Sequence, residues 1–267
     1  MSFSGMVKEE LSRQTSTARH CNIAETAALL SACGKLTARG TLRMQTENSA
    51  VIRKYFTLLK KTFNIETEIA VRESRQMKKG HVYYVELVDK QQIRTLLLGT
   101  KLSVDRADGA ALCLENSLIT QQTCCKRAFI RGAFLASGSM SDPEKGYHFE
   151  IVCPDERKAG QLQMLIRSFH IDAKVVQRKK SYVVYVKEGA QIVDMLAVME
   201  ANVALMNLEN IRILKEMRNS VNRKVNCEMA NINKTVNAAV KQIEDIKLIE
   251  SKMGFHNLNE GLAEIAE

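Results

Sequence analysis

Two stretches of this chain, TAALLSACGK (26–35) and IRGAFLASGS (130–139), share one pattern: small and apolar residues running up to a glycine. The elements after each glycine repeat as well, at an offset of 104 residues from Gly34 to Gly138. After Gly34 come a hydrophobic strand, a helix ending in KTFNIETEIAV (61–71), a basic hairpin and the strand VYYVELV (82–88). After Gly138 come a strand, a helix ending in RSFHIDAKVV (167–176), a basic hairpin and the strand YVVYV (182–186). Phe63-Asn64-Ile65 falls on Phe169-His170-Ile171. Self-similarity on this scale fixes the architecture before any single motif does. The chain is a duplicated α+β unit, and each unit opens with a helix whose small residues let two backbones approach. Helices near 25–34 and 126–138 are expected to pack at the centre, with Gly132, Ala133, Ala136 and Gly138 facing Ala27, Ala28, Ala32 and Gly34. Antiparallel sheets flank them.

IRGAFLASGS resembles the central helix of LAGLIDADG homing endonucleases, with Gly132 on the first glycine, Gly138 on the last and Ser139 on the serine that often comes next. The resemblance implies two such helices side by side in a pseudo-symmetric molecule. It also implies an acidic metal ligand just before the last glycine of each helix. Those positions hold Cys33 and Ser137. Two-metal cleavage of a phosphodiester needs carboxylates beside the scissile phosphate, and Mg²⁺ prefers hard anionic oxygens. Asp142 lies past the helix end, in a Ser-Asp-Pro turn signal. No catalytic residue and no metal ligand is assigned, and a domain shaped for DNA without its acids is expected to bind and not to cut.

Three longer stretches, SFSGMVKEELSR (2–13), CCKRAFIRGAFLASGSMSDPEKGYHFEI (124–151) and ILKEMRNSVNRKVNCEMANINKTVNAA (213–239), are similar to the WhiA family. That resemblance implies a degenerate LAGLIDADG-like domain joined to a C-terminal helix-turn-helix. Members are bacterial transcription regulators tied to sporulation and cell division, and some cooperate with RNA polymerase sigma factors. The expected organisation is a first repeat over 1–118, a second over 119–205 and a helical segment over 206–267 leading into a truncated helix-turn-helix. LNEGLAEIAE (258–267) reads as an amphipathic helix that stops without a cap, and the recognition helix is expected beyond it. Three readings stay open: a DNA-binding regulator, a protein-interaction scaffold on an inactivated endonuclease fold, and a nuclease.

Charge favours a polyanion partner. The net charge is +9, and residues 206–267 hold nine Lys/Arg and nine Asp/Glu, so 9 − 9 = 0 there and the whole excess lies in 1–205. Both repeats place cations in the same hairpin: Arg72, Arg75, Lys78 and Lys79 in the first, Arg178, Lys179 and Lys180 in the second. Hairpin tips carry charge for simple reasons of solvation, but two equivalent cationic tips would also straddle a duplex and neutralise phosphates. Such contacts position a duplex and do not read it.

The strands argue the other way. Alternation puts Ile65, Thr67, Ile69 and Val71 on one face and Glu66, Glu68 and Arg72 on the other, with Glu86 and Glu150 likewise opposite apolar neighbours. Those carboxylates would face a duplex in the saddle.

Over 206–250 apolar residues recur at helical spacing, from Ile211 and Leu214 through Val221, Val225, Ile232, Val236 and Val240 to Ile243, which predicts one or two long helices. Beside them runs a row of amides, Asn219, Asn222, Asn226, Asn233 and Asn237, bordered by Arg218, Arg223, Lys224 and Lys234. Asparagine competes with the helix backbone, so five on one face ask for a contact with nucleic acid or with protein. The alternative is a solvated face on a helix held by packing on its other side.

Seven cysteines (Cys21, Cys33, Cys113, Cys124, Cys125, Cys153, Cys227) form no CxxC pair, and adjacent Cys124-Cys125 lacks zinc-finger spacing. They read as reduced thiols, mostly buried, of a cytoplasmic, nucleoid-associated protein without cofactor. No apolar run approaches the roughly 18 residues of a membrane span. The N-terminus MSFSGMVKEELSR carries acids and no apolar block, so it reads as a short helix capped near Ser4 and not as a secretory signal. A monomer on double-stranded DNA is expected, because the two-fold is satisfied within one chain.

Overall fold

The computed structural model describes residues 2–73, 80–105, 111–114, 117–254, 257 and 261. The chain divides into two compact units, Met1–Arg212 and Ile213–Glu267.

In the first unit, α1 (Phe3–Arg13) precedes two runs of elements in the same order. The first run is α2 (Arg19–Cys33), β1 (Gly34–Leu36), β2 (Leu42–Thr46), α3 (Ser49–Leu58) with a π-turn at Leu59–Phe63, β3 (Ala70–Glu73), β4 (His81–Leu87) and α4 (Lys90–Thr100). A hairpin of β5 (Leu102–Asp105) and β6 (Ala111–Leu114) and a 3-10 turn at Ser117–Thr120 come next. The second run is α5 (Thr123–Ser137), β7 (Gly138–Met140), β8 (Phe149–Cys153), α6 (Glu156–Arg167), β9 (Lys174–Arg178), β10 (Ser181–Val186) and α7 (Gly189–Met199). All pairings are antiparallel. The sheets read β3-β4-β2-β1-β6-β5 and β7-β8-β10-β9, so the second repeats four strands of the first and the β5–β6 hairpin is an addition.

The duplication extends to backbone detail. Asn64 (φ 54°) and His170 (φ 61°) both take the left-handed conformation that lets the chain leave a helix, and Lys101 (φ 52°) and Glu200 (φ 67°) do the same after α4 and α7. Side chains start several elements where the sequence offers them: Ser2 Oγ accepts from Gly5 N, Asn48 Oδ1 from Ala50 and Val51 N, Asp89 Oδ1 from Gln91 N, and Asp155 Oδ1 from Lys158 N. The first helix is thus capped by Ser2, two residues before the position expected, because Ser2 holds the extended backbone that a cap requires.

One further expectation needs correcting. The strand read from Ile65 begins only at Ala70, and residues 64–69 form an irregular connection. Ile65 is buried and Glu66 and Glu68 are exposed, as alternation demands, but Val71 is 55% exposed. At β3 the inward row fails because the strand lies at the edge of its sheet.

The central helices fix everything else. Both end in a glycine of extended backbone, Gly34 (φ −86°) and Gly138 (φ −80°), so each helix passes directly into a strand. A side chain at Gly34 would meet Leu30 O at 2.6 Å and Leu112 Cδ1 at 2.9 Å, so crowding and not backbone freedom requires glycine there. Between the helices the backbones come close at Gly132, where a Cβ would sit 2.6 Å from Glu25 O and 2.9 Å from Ala28 Cβ. The core runs unbroken from Leu29, Leu30 and Tyr55 of the first repeat to Ile130, Phe134 and Phe149 of the second, so the halves share one interior.

Gly132→Ala is expected to cost about 1–3 kcal/mol, because the helices must separate to admit the methyl group. Gly160→Ala on α6, where the added Cβ meets nothing within 4 Å, should gain about 0.5–1 kcal/mol from helix propensity. Urea titration of the two variants beside the parent checks both signs.

Candidate nucleic-acid interface

The cleft at the C-terminal ends of α2 and α5 is where an endonuclease of this shape would hold its metals. Cys33 and Ser137 stand there, and both turn inward: Cys33 Sγ donates to Ala136 O at 3.8 Å, and Ser137 Oγ to Ala133 O at 3.5 Å. Burial pushes the Cys33 thiol up to about 11 against the opposing charge of Lys8, so it stays neutral. Lys8 of α1 lines the same cleft beside Cys33, Glu47 and Asn48. Among the described residues no carboxylates gather at this point.

The polar faces of the sheets do carry carboxylates, and each is occupied. Glu86 accepts from Thr41 Oγ1 at 2.6 Å and pairs with Arg43 at 2.7 Å, while the Arg43 guanidinium lies over the Tyr84 ring at 5.0 Å. Glu150 accepts from Ser139 Oγ at 3.0 Å and pairs with His148 at 3.1 Å and Arg178 at 3.3 Å. The bonds from Thr41 and Arg43 lower the Glu86 carboxyl below its usual range. Burial opposes the same shift at Glu150, but His148, Ser139 and Arg178 outweigh it. The carboxylates are ionised yet matched, which blunts the repulsion expected from them.

Arg72 is exposed on β3 opposite Val82. Arg75, Lys78 and Lys79 lie outside the described residues. Arg178 closes the β9–β10 ladder against Ser181 and is partly spent on Glu150, while Lys179 (φ 58°) and Lys180 form the exposed two-residue turn. The left-handed backbone at Lys179 is what a turn of this length demands.

In the second unit lies most of α8 (Asn202–Lys252), a single helix ended by Gly254 (φ 70°), whose N–H bonds Ile249 O and Glu250 O. Asn219, Asn222, Asn226, Asn233 and Asn237 are all exposed, as are Arg218 and Arg223, and Arg223 Nε folds back onto Asn219 O at 3.2 Å. The apolar row beside them is also open: Val221, Val225, Ile232, Val236 and Val240 are each about half exposed.

Sequence reasoning missed two clusters. The first is an ion cluster at the helix interface. Glu25 of α2, fully buried, takes Arg131 Nε at 3.2 Å and Lys54 Nζ at 3.1 Å. Arg131 continues to Glu200 at 2.7 Å and to Met199 O at 3.4 Å, and Lys54 donates to Leu11 O and Gln14 O. Burial lowers the Lys54 ammonium despite Glu25, whereas Glu25 and Glu200 hold Arg131 above its ordinary value against the same burial. Charged residues inside apolar helices were the available signal. The second cluster joins His20, Cys21, Cys124 and Cys125 from the first turns of α2 and α5. Burial and the neighbouring thiols push Cys125 up to about 12.

A duplicated α+β unit on two glycine-ended helices, with Cys33 and Ser137 before those glycines and a long amide-bearing helix after the unit, defines a LAGLIDADG-like protein. The chain is similar to known proteins over its whole length. The WhiA N-terminal LAGLIDADG-like domain matches residues 19–103, the WhiA LAGLIDADG-like domain 126–218 and the WhiA C-terminal HTH domain 221–267. The chain is 58% identical to the probable cell division protein WhiA of Lachnoclostridium phytofermentans, over all of this chain and 87% of that one. It is 45% identical to the protein of the same name from Clostridium beijerinckii, over 100% and 86%. The crystal structure of full-length DUF199/WhiA from Thermatoga maritima superposes with a TM-score of 0.70 at 24% identity, covering 100% of this chain and 85% of that one. This chain belongs to the WhiA family.

Glu25→Gln leaves two buried cations short of their partner. It is expected to cost about 3–5 kcal/mol, read from the urea midpoint. A loss below about 1 kcal/mol would mean that water reaches the cluster.

Proposed function

We propose that this chain is a non-catalytic, DNA-binding transcription regulator of bacterial cell division and sporulation. The observation that carries the reading is the HTH match over 221–267, which takes in Asn222, Arg223 and Asn226 on an exposed helix face. A helix-turn-helix binds through helices that offer amides and cations to phosphates and base edges. The relatives are named for cell division, and the duplicated unit offers Cys33 and Ser137 in place of acids.

In this reading Arg72, Arg75, Lys78, Lys79, Arg178, Lys179 and Lys180 grip phosphates from the two hairpins, and Arg218, Asn222, Arg223 and Asn226 contact the duplex from α8. Arg178 contributes least, because Glu150 already neutralises it. The protein acts as a monomer on double-stranded DNA, in the cytoplasm, and cooperates with an RNA polymerase sigma factor or another regulator. The open apolar row of α8 supports a second reading, in which α8 docks protein and the old endonuclease fold serves as a scaffold.

DNA affinity measured over a salt series separates the two. Lys78→Ala/Lys79→Ala and Lys179→Ala/Lys180→Ala should each lower the slope of log K against log salt by about one for every phosphate no longer neutralised, whatever the DNA sequence. Asn222→Ala/Asn226→Ala should weaken binding while leaving the melting temperature level or raised, since alanine is the better helix former. Parental binding by all three variants at every salt would favour the scaffold.

Incubated with supercoiled plasmid and Mg²⁺ or Mn²⁺, the protein should leave the DNA intact. Nicking that disappears in Cys33→Ala or Ser137→Ala would restore the nuclease reading.

A further inference from the structure

His20, Cys21, Cys124 and Cys125 stand in register across the pseudo-two-fold: His20 and Cys124 are 104 residues apart, and so are Cys21 and Cys125. Each pair occupies the first turn of a central helix, α2 or α5. Adjacent residues on one helix diverge and do not ordinarily share a ligand. Here the close packing of the two helices overcomes that, and the four ligand atoms lie within 4.8 Å of one another. His20 Nδ1 is 3.1 Å from Cys125 Sγ, 3.4 Å from Cys21 Sγ and 4.0 Å from Cys124 Sγ.

Those separations are the edges of a metal tetrahedron. Zinc holds thiolate sulfur at about 2.3 Å and imidazole nitrogen at about 2.0–2.1 Å, which sets ligand atoms about 3.5–3.8 Å apart. The three distances from His20 Nδ1 bracket that range and no two ligand atoms are more than 4.8 Å apart, so side-chain shifts of no more than about 1 Å close the shell. We propose that His20, Cys21, Cys124 and Cys125 form a Cys₃His site for a structural zinc ion that pins the first turns of α2 and α5 together.

Ligand chemistry selects the metal. Three sulfurs and an imidazole suit zinc and exclude Mg²⁺ and Ca²⁺, which take oxygen. Four protein ligands fill a tetrahedron and leave no open position for catalysis. Burial and the neighbouring thiols raise the cost of thiolates without a metal, whereas a bound cation and the positive ends of two helices that lack side-chain caps offset their charge. Cys21 and Cys125 are buried at 5% and 4% exposure, whereas His20 and Cys124 are exposed. Cys21 and Cys124 also border a cleft with Gln14, Thr15 and Ser16, which gives an ion its route in. Binding displaces the three thiol protons to solvent and changes no oxidation state. The site is independent of DNA binding, so the proposal stands or falls apart from the function proposed above.

Cobalt(II) is the probe, added to the reduced full chain. The parent should take up one equivalent with tetrahedral d–d absorption and thiolate-to-cobalt charge transfer. One equivalent of zinc should displace it. Cys124→Ser and His20→Ala change exposed ligands and are expected to fold, yet the first should lower the thiolate charge-transfer intensity, the second should shift the d–d bands, and each should bind zinc at least tenfold more weakly. Cys227→Ser, on α8, should behave as the parent. The proposal fails if the reduced parent takes up no cobalt or zinc, or if the two ligand variants bind it as the parent does. It fails equally if Cys21 and Cys125 are found joined as a disulfide in protein purified without oxidant.

Discussion

Glu25 is the residue on which the two halves turn. Its carbonyl oxygen is what Gly132 packs against, and its carboxylate is what Arg131, the neighbour of that glycine, reaches for. The small face and the ion cluster are therefore one device: the glycine lets the backbones close, and closing brings the guanidinium to the carboxylate. Burial makes the arrangement costly to disturb, because a partner removed leaves a charge without water. Lys54 carries the tie into α3, and Met199 and Glu200 carry it to the end of α7. The position also breaks the internal symmetry. Under the 104-residue offset Arg131 falls on Ala27, so one half donates and the other accepts.

The same helix pair is used differently at its two ends. At the C-terminal end Cys33 and Ser137 stand before the glycines and bond inward, and Lys8 and Glu47 line the cleft beside Cys33. At the N-terminal end four ligand atoms converge instead. With zinc bound there, metal chemistry would have moved from a catalytic position to one that fastens the scaffold. The polar faces of the sheets show the same tendency. Glu86 and Glu150 are each balanced by an arginine and a hydroxyl, while Arg72, Lys179 and Lys180 stand exposed.

The helix α8 obeys other rules. A helix with an open apolar row and an open amide row gains little from its own packing, and helices in water depend on tertiary contacts for most of their stability. Both rows are open to a partner, and in the proposed function the amide side, within the HTH match, is the one that meets nucleic acid.

Repetition made most of the architecture legible in the sequence. The order of elements, the glycine ends of α2 and α5 and the alignment of Asn64 with His170 are local patterns written twice, and each half vouches for the other. Cys33 and Ser137 could likewise be read directly, because the position before a glycine is fixed by the motif. Alternation misplaces the start of the strand through Ile65, since it does not say where an edge strand begins to pair. Glu25 with Arg131, and His20 with Cys125, were invisible for a different reason. They are 106 and 105 residues apart, and no spacing along one helix encodes what stands opposite on another. The sequence by itself determined that two small-faced helices would meet. Only the tertiary structure decided which side chains that meeting would bring within bonding distance, because the register between two packed helices is set by where their backbones can come closest.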